Sequence, residues 1–147
     1  FVPDVQAAQR DKVGRAYARA YEVLYDEDVR MMTERQQQLD RRIDAVESAD
    51  SLMLGPVDEI TTPLTFSLSD RFFVLQKVDA GWVVYPQRCP HQLGPMALHP
   101  DTPAQDHCSR HGYRFDLQSG ECLGSSNCRL GRRPQVQVQA DQLTVHW

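Results

Sequence analysis

CPHQLG at residues 89–94 and CSRHGY at residues 108–113 are the two stretches that decide the fold of this chain of 147 residues. Each contains one cysteine, one histidine and one glycine, as expected of a tight turn that presents metal ligands. The four candidate ligands are Cys89, His91, Cys108 and His111. Thiolates and imidazoles bind transition metals well, so the two turns predict a metal centre around which the rest of the chain is built.

The spacing of these ligands distinguishes two kinds of metal centre. Zinc sites usually follow a Cys-x2-4-Cys spacing, with the histidines in a separate pair. Here each cysteine has its own histidine, and residues 92–107 separate the two pairs. This arrangement resembles Rieske iron–sulfur proteins, in which two cysteines bind one iron of a [2Fe–2S] cluster and two histidines bind the other. The resemblance implies such a cluster on Cys89, His91, Cys108 and His111, and a zinc-binding interaction module with the same ligands is the alternative.

Two glycines and two bulky residues accompany the ligands. Gly94 and Gly112 stand where a side chain would collide with the cluster or where the turn needs a positive φ. Leu93 and Tyr113 are large enough to shield the cluster from water. The sequence therefore predicts two rigid turns that enclose the metal.

The resemblance to Rieske proteins continues beyond the second turn. YRFDLQSGECL at residues 113–123 is similar to the strand, turn and strand that follow this turn in Rieske ferredoxins and ring-hydroxylating oxygenases. The likeness implies a mainly β, Rieske-type domain of stacked antiparallel sheets over residues 51–147. A small cluster-binding subdomain, about residues 87–118, would be inserted into a larger base made of residues 52–86 and 119–147.

Short apolar runs between turn signals predict several strands in this part of the chain. QVQVQ at residues 135–139 alternates strictly, which is typical of a strand with one buried face. VDAG at residues 78–81 predicts a hairpin turn between two such runs. The predicted strands are 64–68, 71–77, 81–85, 113–117, 121–123, 135–139 and 143–147. Many short strands with regular turns favour an antiparallel fold.

The beginning of the chain is different in composition, rich in Ala, Arg, Gln and Glu with Gly14 as its one glycine up to residue 50. Apolar residues recur there at helical spacing. The acids of residues 26–28 favour the start of a new helix. We therefore predict two helices, about residues 5–25 and 28–48, that form a hairpin or one bent rod.

This helical segment, residues 1–50, is followed by a predicted linker, SADS at residues 48–51. VLYDED at residues 23–28, followed by Gln36 and Gln37, resembles the acidic helix near the end of the catalytic domain of Rieske oxygenases. The resemblance implies that the segment is the tail of an upstream domain.

Composition limits which partners and which cellular compartment are expected for this chain. A net charge of −4 argues against nucleic acid as a partner. The sequence contains no run of about 18 apolar residues, so no membrane-spanning helix is expected. With Cys89 and Cys108 assigned to the cluster, Cys122 and Cys128 are expected to be ordinary thiols. This cysteine usage fits a reducing cytoplasm.

A Rieske cluster implies one-electron transfer as the function. Two neutral imidazoles in place of two thiolates make such a cluster easier to reduce. In the family the histidine-bound iron is the one reduced, so electrons would pass through a surface tip where a reductase or an oxygenase catalytic domain docks. The tip would consist of His91, His111, Gln92, Leu93, Pro95, Met96 and Arg110.

No catalytic site is evident besides this electron-transfer centre. The loop between the two turns contains two histidines and two acids, which are the residue types that mononuclear iron requires. These residues are His99, Asp101, Asp106 and His107. We expect them at the surface, because nothing around them predicts a closed cavity. The sequence therefore assigns no catalytic residue, and the chain is expected to be a ferredoxin or the electron-transfer domain of an oxidoreductase.

High-potential Rieske proteins differ from this sequence around their ligands. They carry an extra cysteine in each turn, joined as a disulfide, and the matching residues here are Gly94 and Arg110. They also carry serine and tyrosine hydroxyls that donate to the cluster sulfurs, where this chain has Tyr113 and Phe115. Such donors raise the reduction potential. The resemblance therefore implies a member of the low-potential class.

Overall fold

The computed structural model describes residues 7–44, 50–98, 102–124 and 127–147. The chain divides into two compact units, of which the first ends at Gln37 and the second begins at Gln38. Within the described ranges, the first unit is helical and the second holds every strand.

A single helix, α1, spans Ala7–Asp44. The prediction of two helices is therefore wrong, because residues 26–28 continue the helix without a break. Aspartate costs only about 0.7 kcal/mol in a helix interior, and no glycine or proline interrupts residues 15–44. The predicted ends at residues 5–6 and 45–48 lie outside the described residues. No helix in the described part of the chain is long and apolar enough to cross a membrane.

The second unit forms three antiparallel sheets. Its strands are β1 (Ser51–Pro56), β2 (Leu64–Leu68), β3 (Arg71–Val78), β4 (Gly81–Pro86), β5 (Met96–Leu98), β6 (Gln105–Cys108), β7 (Arg114–Asp116), β8 (Gln135–Gln139) and β9 (Gln142–His146). The sheet orders are β1-β9-β8, β2-β3-β4 and β5-β6-β7. The prediction of a mainly β fold of antiparallel sheets is confirmed. The first candidate turn precedes β5, and the second joins β6 to β7.

Most predicted strands are present, with two kinds of difference. The strands predicted around residues 64–85 and 135–147 correspond to β2, β3, β4, β8 and β9. Residues 121–123 make only isolated bridges, so the strand predicted there is wrong. The strands β1, β5 and β6 are additions that the sequence did not predict.

The strand β3 connects two hydrophobic cores, because its successive side chains point to opposite faces. Phe73 and Leu75 are buried in one core, where they pack against residues of β9 such as Leu143. Val74 points the other way, into a second core. This second core also contains Tyr85, Cys89, Cys108, Phe115, Leu117 and Leu130. Both candidate ligand cysteines are therefore part of the packed interior.

Candidate metal centre

The first loop, residues 89–94, is closed by two backbone hydrogen bonds. The N–H of Cys89 donates to the C=O of Gly94 at 2.8 Å, and the N–H of Leu93 donates to the C=O of Cys89 at 2.9 Å. Leu93 completes the turn with a φ of 54°, which is uncommon for a residue other than glycine. The loop thus holds Cys89 at its buried base and leaves His91 exposed.

The second loop, residues 108–113, repeats the same frame. The N–H of Cys108 donates to the C=O of Tyr113 at 2.8 Å, and the N–H of Gly112 donates to the C=O of Cys108 at 2.8 Å. Gly112 therefore takes the place that Leu93 has in the first loop, with a φ of 68°. Glycine adopts this conformation without steric cost, so the prediction that Gly112 serves a positive φ is confirmed.

The two loops are joined to each other at Pro95. Both the N–H and the Oγ of Ser109 donate to the C=O of Pro95, at 3.1 and 3.2 Å. Where β5 meets β6, Met96 pairs with Cys108. The N–H of Met96 also donates to the C=O of Gln87 at 3.0 Å. The polypeptide itself therefore fixes the spacing between the loops.

The four candidate ligands meet in one place with opposite exposures. Cys89 and Cys108 are fully buried, whereas His91 and His111 are exposed. The two imidazole rings lie edge to face with centroids 4.9 Å apart, and Cys108 Sγ lies 3.8 Å from His111 Nδ1. The ring of Tyr113 lies 4.8 Å from that of His91. The site therefore presents thiols inward and imidazoles outward, with an aromatic ring beside them.

The buried thiol of Cys89 is held in its neutral form. Burial, the largest cause, and the nearby Cys108 thiol raise the pKa of Cys89 to about 12, although a backbone hydrogen bond from His91 acts in the opposite direction. The metal-free thiol therefore keeps its proton at neutral pH. Because a metal binds the thiolate, metal binding at Cys89 would release that proton.

Gly94 leaves room beside a candidate ligand. A Cβ at this position would lie 3.2 Å from Cys108 Sγ and 3.0 Å from Cδ of Arg110. Cys108 is fully buried, so its sulfur has little freedom to move away. A side chain on Gly94 would thus crowd the sulfur of this candidate ligand, which agrees with the prediction of a close approach there.

One acid expected at the surface is buried instead. Asp106 is 1% exposed, so that expectation is wrong for it. Its Oδ1 accepts the N–H of His107 at 2.7 Å, and its carboxylate also accepts the hydroxyl of the buried Tyr85. His99 and Asp101 lie outside the described residues. Among the residues that are described, no three His, Cys, Asp or Glu side chains converge on a single metal ion.

Tyr85→Phe should destabilise the second unit by about 1–3 kcal/mol, because it leaves a buried carboxylate without one of its donors. Burial raises the pKa of Asp106, whereas the hydrogen bonds from the His107 N–H and the Tyr85 hydroxyl act to lower it, so these donors favour the ionised carboxylate. The measurement is the urea midpoint of the purified protein. Ser67→Ala, which removes a hydroxyl from an exposed side chain of β2 in the same unit, is the control and should shift the midpoint little. An unchanged midpoint in Tyr85→Phe would contradict this role.

The class of protein follows from a sequence match that covers the site. The chain matches the Rieske [2Fe-2S] domain family over residues 50–134. It therefore belongs to this family, whose members bind a [2Fe–2S] cluster. No curated protein sequence matches the chain.

Solved structures of similar fold come from a dioxygenase system. One is the reduced complex between oxygenase and ferredoxin in carbazole 1,9a-dioxygenase, with a TM-score of 0.57 and 16% identity, covering 67% of this chain and 28% of that chain. Another is the ferredoxin of carbazole 1,9a-dioxygenase from Nocardioides aromaticivorans IC177, with a TM-score of 0.54 and 16% identity, covering 65% of this chain and 96% of that chain. The likeness thus spans about a quarter of the first chain and nearly all of the second, and at this identity it concerns the fold.

The residues of the site fit the cluster of the family. A Rieske cluster requires two thiolates and two imidazoles, and each of the two equivalent loops supplies one of each. Because Gly94 has no Cβ, the sulfur of the candidate ligand Cys108 is not crowded. The zinc-binding alternative gains no support from the family match.

Gly94→Ala should lower the fraction of the protein that holds a cluster, because overpacking of this kind costs about 1–3 kcal/mol. The measurement is iron per chain after identical purification of each variant. Gly131→Ala is the matched control, since a Cβ on Gly131 would meet nothing within 4 Å. Equal iron content in the two variants would show that the space beside Cys108 is not needed.

Sequence reasoning missed the residues that hold the loops in place. Ser109 offered a weak signal, because serine hydroxyls often bond to nearby backbone in turns. Leu93 offered none, since leucine does not favour a left-handed backbone. Leu93 is also buried, so it is wrong to count it in the exposed tip.

Proposed function

We propose that this chain transfers single electrons through a [2Fe–2S] cluster, with Cys89 and Cys108 on one iron and His91 and His111 on the other. The observation that carries the proposal is the pair of matched loops, which present buried thiols and exposed imidazoles at one site. The family match supplies the identity of the cluster.

The bound cluster accepts and returns one electron, and the side chains set how easily it does so. Two neutral imidazoles give the oxidised cluster two fewer negative charges than a four-thiolate set, which favours reduction. Cys89 and Cys108, which belong to the second core, would hold the cluster from its buried side. His91 and His111, which are exposed, would hold it on the side that a partner can approach.

The partner surface is the exposed tip around His91 and His111. Leu93 is excluded from it by burial, so the remaining tip residues are Gln92, Pro95, Met96 and Arg110. We assign the partners as a reductase that donates electrons and an oxygenase-type acceptor. Support comes from the fold shared with a ferredoxin and with an oxygenase–ferredoxin complex of one dioxygenase system.

The proposal extends to the organisation of the chain. Residues 51–147 would form the electron-transfer domain, with residues 87–118 as its cluster-binding part. The sheet β5-β6-β7 and both loops fall within these 87–118 bounds, which supports treating them as one part. Residues 1–50 would belong to the contacts that the domain makes with other chains or domains.

The experiment is iron and acid-labile sulfide analysis combined with visible and EPR spectra. About two irons and two sulfides per chain are expected, with a brown-red colour that bleaches on addition of dithionite. Stoichiometric zinc in a colourless protein would refute the proposal. With a flavin reductase and NADH, the chain should accept electrons but form no hydroxylated organic product.

A further inference from the structure

The helix α1 carries a row of large apolar side chains that the structure leaves exposed. The row consists of Val13, Tyr17, Tyr21, Tyr25 and Val29, which are 47%, 64%, 69%, 71% and 47% exposed. Its members are spaced four residues apart, so they form one ridge along the helix. An exposed apolar ridge of this size marks an interaction surface. We call these five residues the tyrosine row.

The residues of the tyrosine row are arranged symmetrically about the centre of the row. Tyr21 stands at its centre, with one tyrosine four residues away on each side and one valine eight residues away on each side. A two-fold interface uses the same patch on both subunits, so the patch must be complementary to itself. We propose that the tyrosine row binds the same row of a second copy of the chain, in an antiparallel pair centred on Tyr21.

The spacing of the row defines how the two helices would cross. Ridges of residues four apart interdigitate when helices cross at about −50°. Each step of four residues also advances about 40° around the helix. Tyr17, Tyr21 and Tyr25 therefore lie at the crossing point, and the two valines lie at its edges. Tyr17 of one copy faces Tyr25 of the other.

A shallow hollow in α1 matches a side chain of the second copy. It is lined by Ala18, Tyr21, Glu22, Tyr25 and Asp26. The first four of these occupy positions i, i+3, i+4 and i+7, so they surround one gap in the surface of the helix beside the tyrosine row. The small Ala18 gives the hollow its depth. In the antiparallel pair, Tyr21 of each copy enters the hollow of the other.

The charges along α1 favour the antiparallel direction. Residues 10–19 contain four cations, Arg10, Lys12, Arg15 and Arg19, against the single acid Asp11. The residues at the mirror positions, 23–32, contain three acids, Asp26, Glu27 and Asp28, against the single cation Arg30. An antiparallel pair centred on Tyr21 sets the basic stretch of each copy against the acidic stretch of the other. A parallel pair would instead set like charges together, which is unfavourable.

The surface area that two tyrosine rows can bury is sufficient for a specific dimer. A tyrosine can bury roughly 150–250 Å², and the pair contains the three tyrosines of the row twice. Together with the valines and the exposed Leu24, burial on the order of 1,000 Å² results, which is near the lower limit for specific interfaces. The expected dimer is therefore of moderate strength and dissociates on dilution.

The test is sedimentation of the full-length, cluster-loaded protein over a range of concentrations. The wild type should reach twice the 16.8 kDa of one chain. Tyr21→Glu should weaken the dimer by about 100-fold or more, because the symmetry places a charge in the interface twice. Val23→Glu is the matched control, since Val23 is also exposed but lies about 200° around the helix from Tyr21. It should change the dissociation constant by less than about 3-fold.

A charge at position 14 tests the antiparallel direction itself. The proposed centre places Gly14 of one copy opposite Asp28 of the other, and both residues lie within about 20° of Tyr21 around the helix. A Cβ on Gly14 would meet nothing within 4 Å, so a side chain fits there. Gly14→Lys should strengthen the dimer by about 2- to 5-fold and Gly14→Glu should weaken it by a similar factor, because each occurs twice in the interface. In a parallel pair residue 14 would face its own copy, and both variants would weaken the dimer.

Circular dichroism confirms that each variant keeps its helix before the masses are compared. A wild-type monomer at about 100 μM would overturn the proposal and leave the row for a different partner chain. A dimer that Tyr21→Glu leaves intact would also overturn the proposal. The same holds if Val23→Glu weakens the dimer as much as Tyr21→Glu does. A Gly14→Lys dimer that is as weak as the Gly14→Glu dimer would overturn the antiparallel direction. None of these outcomes bears on the iron and sulfide content, so the electron-transfer proposal is tested separately.

Discussion

Replacing Cys108 with serine should abolish the visible and EPR spectra of the cluster and reduce bound iron to background. The thiol of Cys108 is fully buried, and the second loop is built around its backbone N–H and C=O. In the proposed ligation, loss of this thiolate would remove one of the two cysteine ligands, at a buried place where water cannot readily replace it. The variant should also be less stable, because a bound metal contributes to folding. Iron, sulfide and spectra are measured on protein purified alongside the wild type.

Cys122→Ser is the control for this change, because it makes the same substitution at a half-buried cysteine against the same core. It should leave both spectra intact. If Cys108→Ser kept the spectra, or if Cys122→Ser lost them equally, Cys108 would not be a ligand.

The midpoint potential should lie near the bottom of the Rieske range, at about −150 mV. Hydroxyl donors to the cluster sulfurs stabilise the more negative, reduced state and so raise the potential. At the position of one such donor the chain has Phe115, which is fully buried and has no hydroxyl. Gly94 and Arg110 stand where high-potential members have their additional cysteines. Protein-film voltammetry gives the midpoint directly.

Phe115→Tyr tests whether the missing hydroxyl lowers the midpoint potential, because it places a hydroxyl at the position of the missing donor. The midpoint of the cluster-loaded fraction should become more positive. Phe72→Tyr, on an exposed side chain of β3, should leave it unchanged. A wild-type midpoint above about +100 mV, which is still within the known Rieske span, would show that other donors replace the missing hydroxyls.

The strands that could be predicted are those whose apolar residues alternate or cluster. β3 and β4 were visible because they carry long apolar runs, and β8 because it alternates strictly. β6, with the sequence QDHC, has no apolar pattern and was missed. Its buried residues are Asp106 and Cys108, and the burial of Asp106 depends on Tyr85 supplying a hydroxyl from another strand. A partnership between residues so distant in sequence leaves no local signal.

The helix and the candidate site show the same limit of prediction from sequence. Residues 26–28 look like a helix start, yet start signals do not break a helix when no glycine or proline ends the preceding one. At the metal centre, residue types and spacing indicated which side chains come together, and the structure places them together. The frame they share could not be predicted, because Leu93 closes the first loop where glycine closes the second.

The unequal exposure of the candidate ligands has a kinetic consequence. Of the four, only the two imidazoles are exposed, so under the proposed function an electron would enter and leave through the same small surface. Donor and acceptor would then compete for one place and could not be bound there together. Each transfer would require one partner to dissociate before the other arrives, and an excess of either should slow the flow of electrons. The protein would therefore work as a shuttle, and the lifetimes of its complexes would set the overall rate.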